Sequence, residues 1–166
     1  LMAQQDGREQ AKPLPSQLPR IELPITASIP ESYIDHMPTR LSIYQQLARI
    51  TERSEVPEIR EELRDRFGPL PEEVENLLVL VDLRALAGSM GIESVVHGDN
   101  SILIGFRDQV GSAKVPLQRA LGPSVSVGNS QMRMSLRGIG DEWLSRLTTM
   151  LQRLKVFQQR LESMGV

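Results

Sequence analysis

The chain is predicted to be an α+β domain, a helical N-terminal half packed with a small antiparallel sheet of two hairpins and a long C-terminal helix. Three observations carry this expectation. Apolar residues recur at helical spacing between residues 39 and 90, alternate with a period of two between residues 92 and 137, and return to helical spacing from residue 141 onward. With 166 residues the chain can bury one ordinary core, so residues 21–166 are expected to form a single domain.

Residues 1–20, LMAQQDGREQAKPLPSQLPR, are polar, rich in Gln and Pro and without hydrophobic period, which predicts a flexible tail or linker. A start at Leu1 rather than Met suggests a piece of a longer polypeptide. The following RIELPITASIP carries apolar residues interrupted by Pro24 and Pro30, consistent with an extended segment or edge strand, because proline cannot donate to a ladder. A helix is expected from Thr39, with Leu41, Tyr44, Leu47 and Ala48 on a broad buried face and Ile43 and Ile50 beside them.

The second helix is expected to open at Ser54 as N-cap, with Pro57 in its first turn, where the missing N–H costs nothing. Gly68 suits a left-handed cap, Pro69 prevents continuation, and Pro71 starts the next helix. Phe67, Gly68, Pro69 and Pro71 are therefore read as a structural turn. Glu72, Glu73 and Glu75 then stand favourably at a positive helix end. The third helix is apolar on most sides along LLVLVDL, as a central core helix would be, and Gly91 closes it.

IESVVHG and SILIGFR, joined around Asp99 and Asn100, read as one hairpin. SVSVG and QMRMSLR, joined around Asn129, read as another, with Met132, Met134 and Leu136 on one face. A short helix in KVPLQRALG separates them. The final helix places Leu144, Leu147, Leu151, Leu154 and Leu161 at helical spacing.

No catalytic device emerges. There is no cysteine, hence no disulfide, thiol nucleophile or thiolate metal site. GSAKV at residues 111–115 lacks the spacing and ending of a phosphate loop, and no GxSxG elbow presents a serine. His36 and His97 lie in unrelated segments without metal-ligand spacing. With no bilayer-length apolar run and no signal-peptide core, the chain is expected to be soluble, unexported and cytoplasmic.

The net charge of −2 conceals an asymmetry: residues 21–90 hold 7 basic and 13 acidic side chains, and residues 91–166 hold 9 and 6. Within the second helix, Val56, Ile59, Leu63 and Phe67 fall inside an arc of roughly 80°, and Glu58, Glu61, Glu62 and Asp65 occupy roughly 100° on the opposite side. A helix gathering like charges on its outer face suits a positively charged partner, although a solvated face produces the same pattern. In the basic half, Arg146, Arg153 and Arg160 recur every seven residues along the last helix. With Arg133 and Arg137 they define an alternative function, auxiliary nucleic-acid binding, for which interleaved stacking aromatics are missing.

Read together, LPITASIPESYI, TRLSIYQQLARI and EELRDRFGPLPEEVENLL resemble the C-terminal domain of bacterial transcription-repair coupling factors over about residues 21 to 92. Thr26 stands where that family carries an acidic residue. The resemblance implies a parent that is a large ATP-dependent DNA translocase, which displaces stalled RNA polymerase and recruits nucleotide excision repair. ATP and magnesium would belong to the absent motor, leaving this segment without cofactor or catalytic residue. The terminal domain would be a regulatory clamp on an N-terminal UvrB-like module, hiding the surface that recruits the excinuclease protein UvrA. Glu62 and Asp65, in the E-L-x-D-R-F-G motif, would face that module's basic surface, with Glu58 and Glu61 beside them. DNA and RNA polymerase would be reached only through the parent.

Overall fold

A computed structural model describes residues 18–165. In chain order the elements are β1 (Arg20–Glu22), α1 (Met37–Ala48), α2 (Glu55–Phe67), α3 (Glu72–Gly88), β2 (Ile92–Gly98) and β3 (Ser101–Phe106), followed by α4 (Lys114–Leu121), β4 (Val125–Val127), β5 (Gln131–Ser135) and α5 (Trp143–Ser163). The architecture is α+β, as the changes of period predict.

The two expected hairpins are present but not separate. β3 pairs antiparallel with β5, which joins them, and β1 adds to β2 in parallel, so one mixed five-stranded sheet has the order β1-β2-β3-β5-β4. The antiparallel pairs expected from the sequence are all present, and at the start of the segment read as extended or edge strand β1 adds one parallel edge strand. Its three residues lie between prolines, too short a run to display a period. Of the segment read as a tail, residues 1–17 lie outside the described residues. Pro19 is buried and Arg20 opens β1. Gly88 makes room for this approach, since a Cβ there would stand 3.3 Å from Pro19 Cδ.

Two clusters of buried side chains hold the layers. The helical one is built from Ile29, Ile34, Ile43, Leu47, Ile50, Val56, Ile59 and Leu63, with Val74, Leu78 and Val81 of α3. The other lies between the sheet, α4 and α5 and includes Ile102, Ile104, Met132, Leu147 and Leu151, with Leu83, Leu86 and Ala87 of α3. Each fully buried aliphatic side chain contributes about 1.5–3 kcal/mol of transfer free energy, so α3 is the element whose loss would open both clusters.

In α1 the structure corrects the expected face. The helix starts at Met37, with Pro38 in its first turn, and buries Ile43 and Leu47; Leu41 is 54% exposed and Ala48 also faces solvent. At 100° per residue Leu41 lies about 160° away from Ile43, so docking on Ile43 necessarily turns Leu41 outward. Ser54 flanks α2, but its side chain makes no cap bond; Glu55 Oε2 instead accepts from the backbone N–H groups of Thr51 and Glu52 at 3.2 and 3.1 Å. In α5 Met150 is buried and Phe157 half-buried, and Met164, the residue just past its end, is exposed.

The outer edge of β4 is closed by one side chain. Gln118 of α4 donates through Nε2 to Val125 O and accepts through Oε1 from Val127 N–H at 2.9 Å. These backbone groups point away from β5, and an unpaired edge would template pairing with another chain. Gln118→Ala should lower stability by about 1 kcal/mol or more in a urea titration and increase aggregation on refolding. An unchanged unfolding midpoint would show that water satisfies this edge equally well.

Candidate interaction surface

The acidic face of α2 is positioned from behind. Val56, Ile59 and Leu63 are 3%, 3% and 0% exposed, so the helix cannot rotate without opening the core and its opposite side must face outward. At its start, Arg53 forms a bidentate pair with Asp82 of α3, both bonds 2.9 Å, and the hydrogen bond to this carboxylate raises the Arg53 pKa. Two residues on, Arg84 Nη2 donates to Leu47 O at 2.8 Å and Ile50 O at 3.3 Å, capping the carbonyl end of α1. Burial lowers the Arg84 pKa, and its Nε has no hydrogen-bond partner among the described residues. α3 thus fixes both the end of α1 and the beginning of α2.

The far end of α2 is fixed by the turn. Gly68 has φ 90° and ψ −171° rather than the left-handed helical values expected from its position, a backbone region open essentially to glycine alone. Pro71 precedes α3 as its N-cap and offers its carbonyl to Val74 N and Glu75 N at 3.1 and 3.0 Å. Pro69 is exposed. The Tyr33 hydroxyl sits 2.9 Å from Gly68 O and 3.1 Å from Leu63 O, donating between them, and its ring meets Phe67 edge-on at 5.9 Å. Desolvation is the main cause raising the Tyr33 pKa above 10.0. Arg66 lies over the Phe67 ring, 4.8 Å from its centroid. The turn therefore anchors the acidic helix to the Glu31–Tyr33 turn before α1.

The four acidic residues are not equivalent. Glu62 is half-buried, accepts from Gln46 Nε2 of α1 at 3.3 Å and lies 3.6 Å from Arg66 Nη1. Glu61 pairs with Arg64 at 3.4 Å. Glu58 and Asp65 are exposed, and their carboxylates have no hydrogen bond or ion pair among the described residues. Behind the face, Arg60 Nε stands 3.3 Å from Glu75 Oε2, within ion-pairing distance but outside hydrogen-bond geometry. Two carboxylates, Glu58 and Asp65, are therefore free to meet a cation.

The sequence does not display the groove that borders this face. A polar groove of about 520 Å³ separates α1 from α2, with Gln45, Gln46 and Arg49 on one wall and Glu55, Glu58 and Glu62 on the other. Leu41 lies about 40° around α1 from Gln45 but about 140° from Gln46, and Met37, 61% exposed, lies about 180° from Gln46, so neither lines the groove. Leu41 resembles a core residue in sequence, and only its angle to Ile43 signals otherwise. Elsewhere, His97 meets Trp143 edge-on at 6.4 Å and His36 Nδ1 is 2.8 Å from Thr39 Oγ1, so the two histidines do not converge. Among the described residues no group of three or more His, Asp or Glu side chains could hold a metal ion, and no helix is long and apolar enough to cross a membrane.

These features define a small two-core α+β domain that presents an acidic helix beside a polar groove. A family model described as the TRCF domain matches residues 23–115, from the segment after β1 through the first turn of α4. The chain is 35% identical over 104 residues to the transcription-repair-coupling factor of Escherichia coli, covering 62% of this chain and 9% of that protein. It is 34% identical over 89 residues to the factor of Rickettsia bellii, covering 54% of this chain and 8% of that one. The chain thus spans about a tenth of the length of these relatives or less. A crystal structure of the C-terminal domain of transcription-repair coupling factor superposes with a TM-score of 0.73, covering 86% of this chain and 95% of that chain at 22% identity, a likeness of fold. The chain belongs to the transcription-repair coupling factor family.

Gly68→Ala should destabilise by about 1–3 kcal/mol through backbone strain alone, because nothing lies within 4 Å of the added Cβ; an unchanged melting temperature would contradict this. Tyr33→Phe should cost about 1 kcal/mol at neutral pH. Because the Tyr33 pKa is raised in the folded state, its contribution is complete below pH 10.0 and declines as pH rises through the folded pKa. Denaturant titrations across that range should show a shallower alkaline loss for the phenylalanine variant.

Proposed function

We propose that this chain is a non-catalytic, autoinhibitory interaction domain of a transcription-repair coupling factor, an ATP-dependent DNA translocase that releases stalled RNA polymerase and recruits nucleotide excision repair. Its acidic α2 face clamps on the basic surface of the N-terminal UvrB-like module in the same polypeptide. While closed, the clamp masks the surface that recruits UvrA.

The observation that carries this reading is the state of the acidic face. Glu58 and Asp65 are held outward by a buried opposite side and have no internal cation among the described residues, while Glu62 stands oriented by Gln46. Exposed ion pairs are worth about 0–1 kcal/mol each, so this contact holds a tethered partner yet releases it. Linkage within one polypeptide raises the effective concentration and offsets the weakness of each pair. Leu41, 54% exposed on α1, would contribute as a contact rather than as core.

Glu58→Lys with Asp65→Lys should weaken binding to the isolated N-terminal module by about tenfold or more at low salt. The melting temperature should fall by no more than a few degrees, since both side chains are exposed and unpaired among the described residues. The only cost is a cation at Glu58 in the first turn of α2, about 1 kcal/mol. Leu41→Ser should weaken the same binding with less salt dependence. Equal affinities for all variants in a calorimetric titration would sink the proposal.

A further inference from the structure

A second surface, in the basic half of the chain, is independent of the acidic helix. Arg137, Arg146 and Arg153 line one groove of about 480 Å³ between the end of the sheet and α5, floored in part by Val125, Met134 and Met150. Arg153 and Arg160 line a second, of about 340 Å³, with Val156 and Phe157. Arg153 belongs to both, so the grooves form one track along α5. All four arginines are exposed, and none of their guanidinium groups has a hydrogen bond or ion pair among the described residues. Val156 is 46% exposed in the same track.

The spacing narrows the choice of occupant. Arg146, Arg153 and Arg160 are seven residues apart, so each stands about 10.5 Å further along α5 and the line extends about 21 Å. It drifts only about 20° around the axis at each step. Another α-helix with carboxylates every seventh residue has the same repeat, and guanidinium groups bind carboxylates through paired hydrogen bonds. Aliphatic residues at the base of the track suit apolar side chains between those carboxylates. A nucleic-acid strand would instead call for stacking aromatics, and among the residues lining both grooves Phe157, half-buried, is the sole aromatic.

We propose that Arg146, Arg153 and Arg160, continued by Arg137, form a docking track for an acidic amphipathic helix of a protein partner, with carboxylates one heptad apart. The test uses the whole chain and a fluorescein-labelled helical peptide of about 20 residues, with Glu at every seventh position and Leu between. Fluorescence anisotropy should show saturable, salt-sensitive binding. Arg146→Glu with Arg153→Glu should weaken it at least about tenfold, and the milder Arg146→Gln with Arg153→Gln should weaken it less. Glu58→Lys with Asp65→Lys should leave it unchanged, which separates this surface from the acidic one. Circular dichroism of each variant checks the fold. Equal binding of a scrambled peptide, indifference to both arginine variants, or tighter binding of a single- or double-stranded oligonucleotide than of the peptide would overturn the proposal.

Discussion

Helix α3 buries side chains toward both layers at once. Val74, Leu78 and Val81 enter the helical cluster, and Leu83, Leu86 and Ala87 enter the cluster under the sheet. Between them, Asp82 and Arg84 use the same helix to hold the start of α2 and the end of α1 through hydrogen bonds. A helix committed on so many sides cannot slide or rotate without vacating core volume, and interiors packed at crystal-like density do not tolerate such vacancies. The orientation of every other helix in the N-terminal half follows from this attachment.

That rigidity gives the charges their meaning. A helix fixed at both ends would lose little further entropy on meeting the proposed partner, whereas a mobile helix would lose more. The turn at Phe67–Pro71 completes the fixation, because Tyr33 ties Leu63 and Gly68 to the segment before α1. Acidic residues predominate in the helical half and basic residues in the other, and each half carries exposed charges without partners among the described residues. This separation is the basis of the two proposed contact surfaces.

Much of the architecture was readable because it is written in local chemistry. Gly68, Pro69, Pro71, Gly91 and the Asp99–Asn100 turn punctuate the chain, and the change of period between Met90 and Ile92 marks the passage from helix to strand. The acidic arc of α2 was readable for the same reason, since its angles depend only on residue number. What could not be read depends on distant partners. The pairing of Arg20 with Ser94 in β1 and β2, the Arg53–Asp82 pair and the unequal engagement of Glu62 and Asp65 all join residues from different elements. Leu41 was misplaced because composition alone cannot tell which of two adjacent apolar stripes a helix turns inward; Ile43, Leu47 and Ile50 settled it by packing together.

The central claim is that α2, and not the basic helix α5, meets the N-terminal module. Amide chemical shifts of the isotopically labelled chain, followed while that module is added, test this residue by residue. The account predicts that the largest changes cluster from Glu58 to Asp65 and along the exposed side of α1 near Leu41, and fade as salt is raised. Changes confined to Arg146–Arg160, or none at module concentrations comparable to the tethered state, would contradict it.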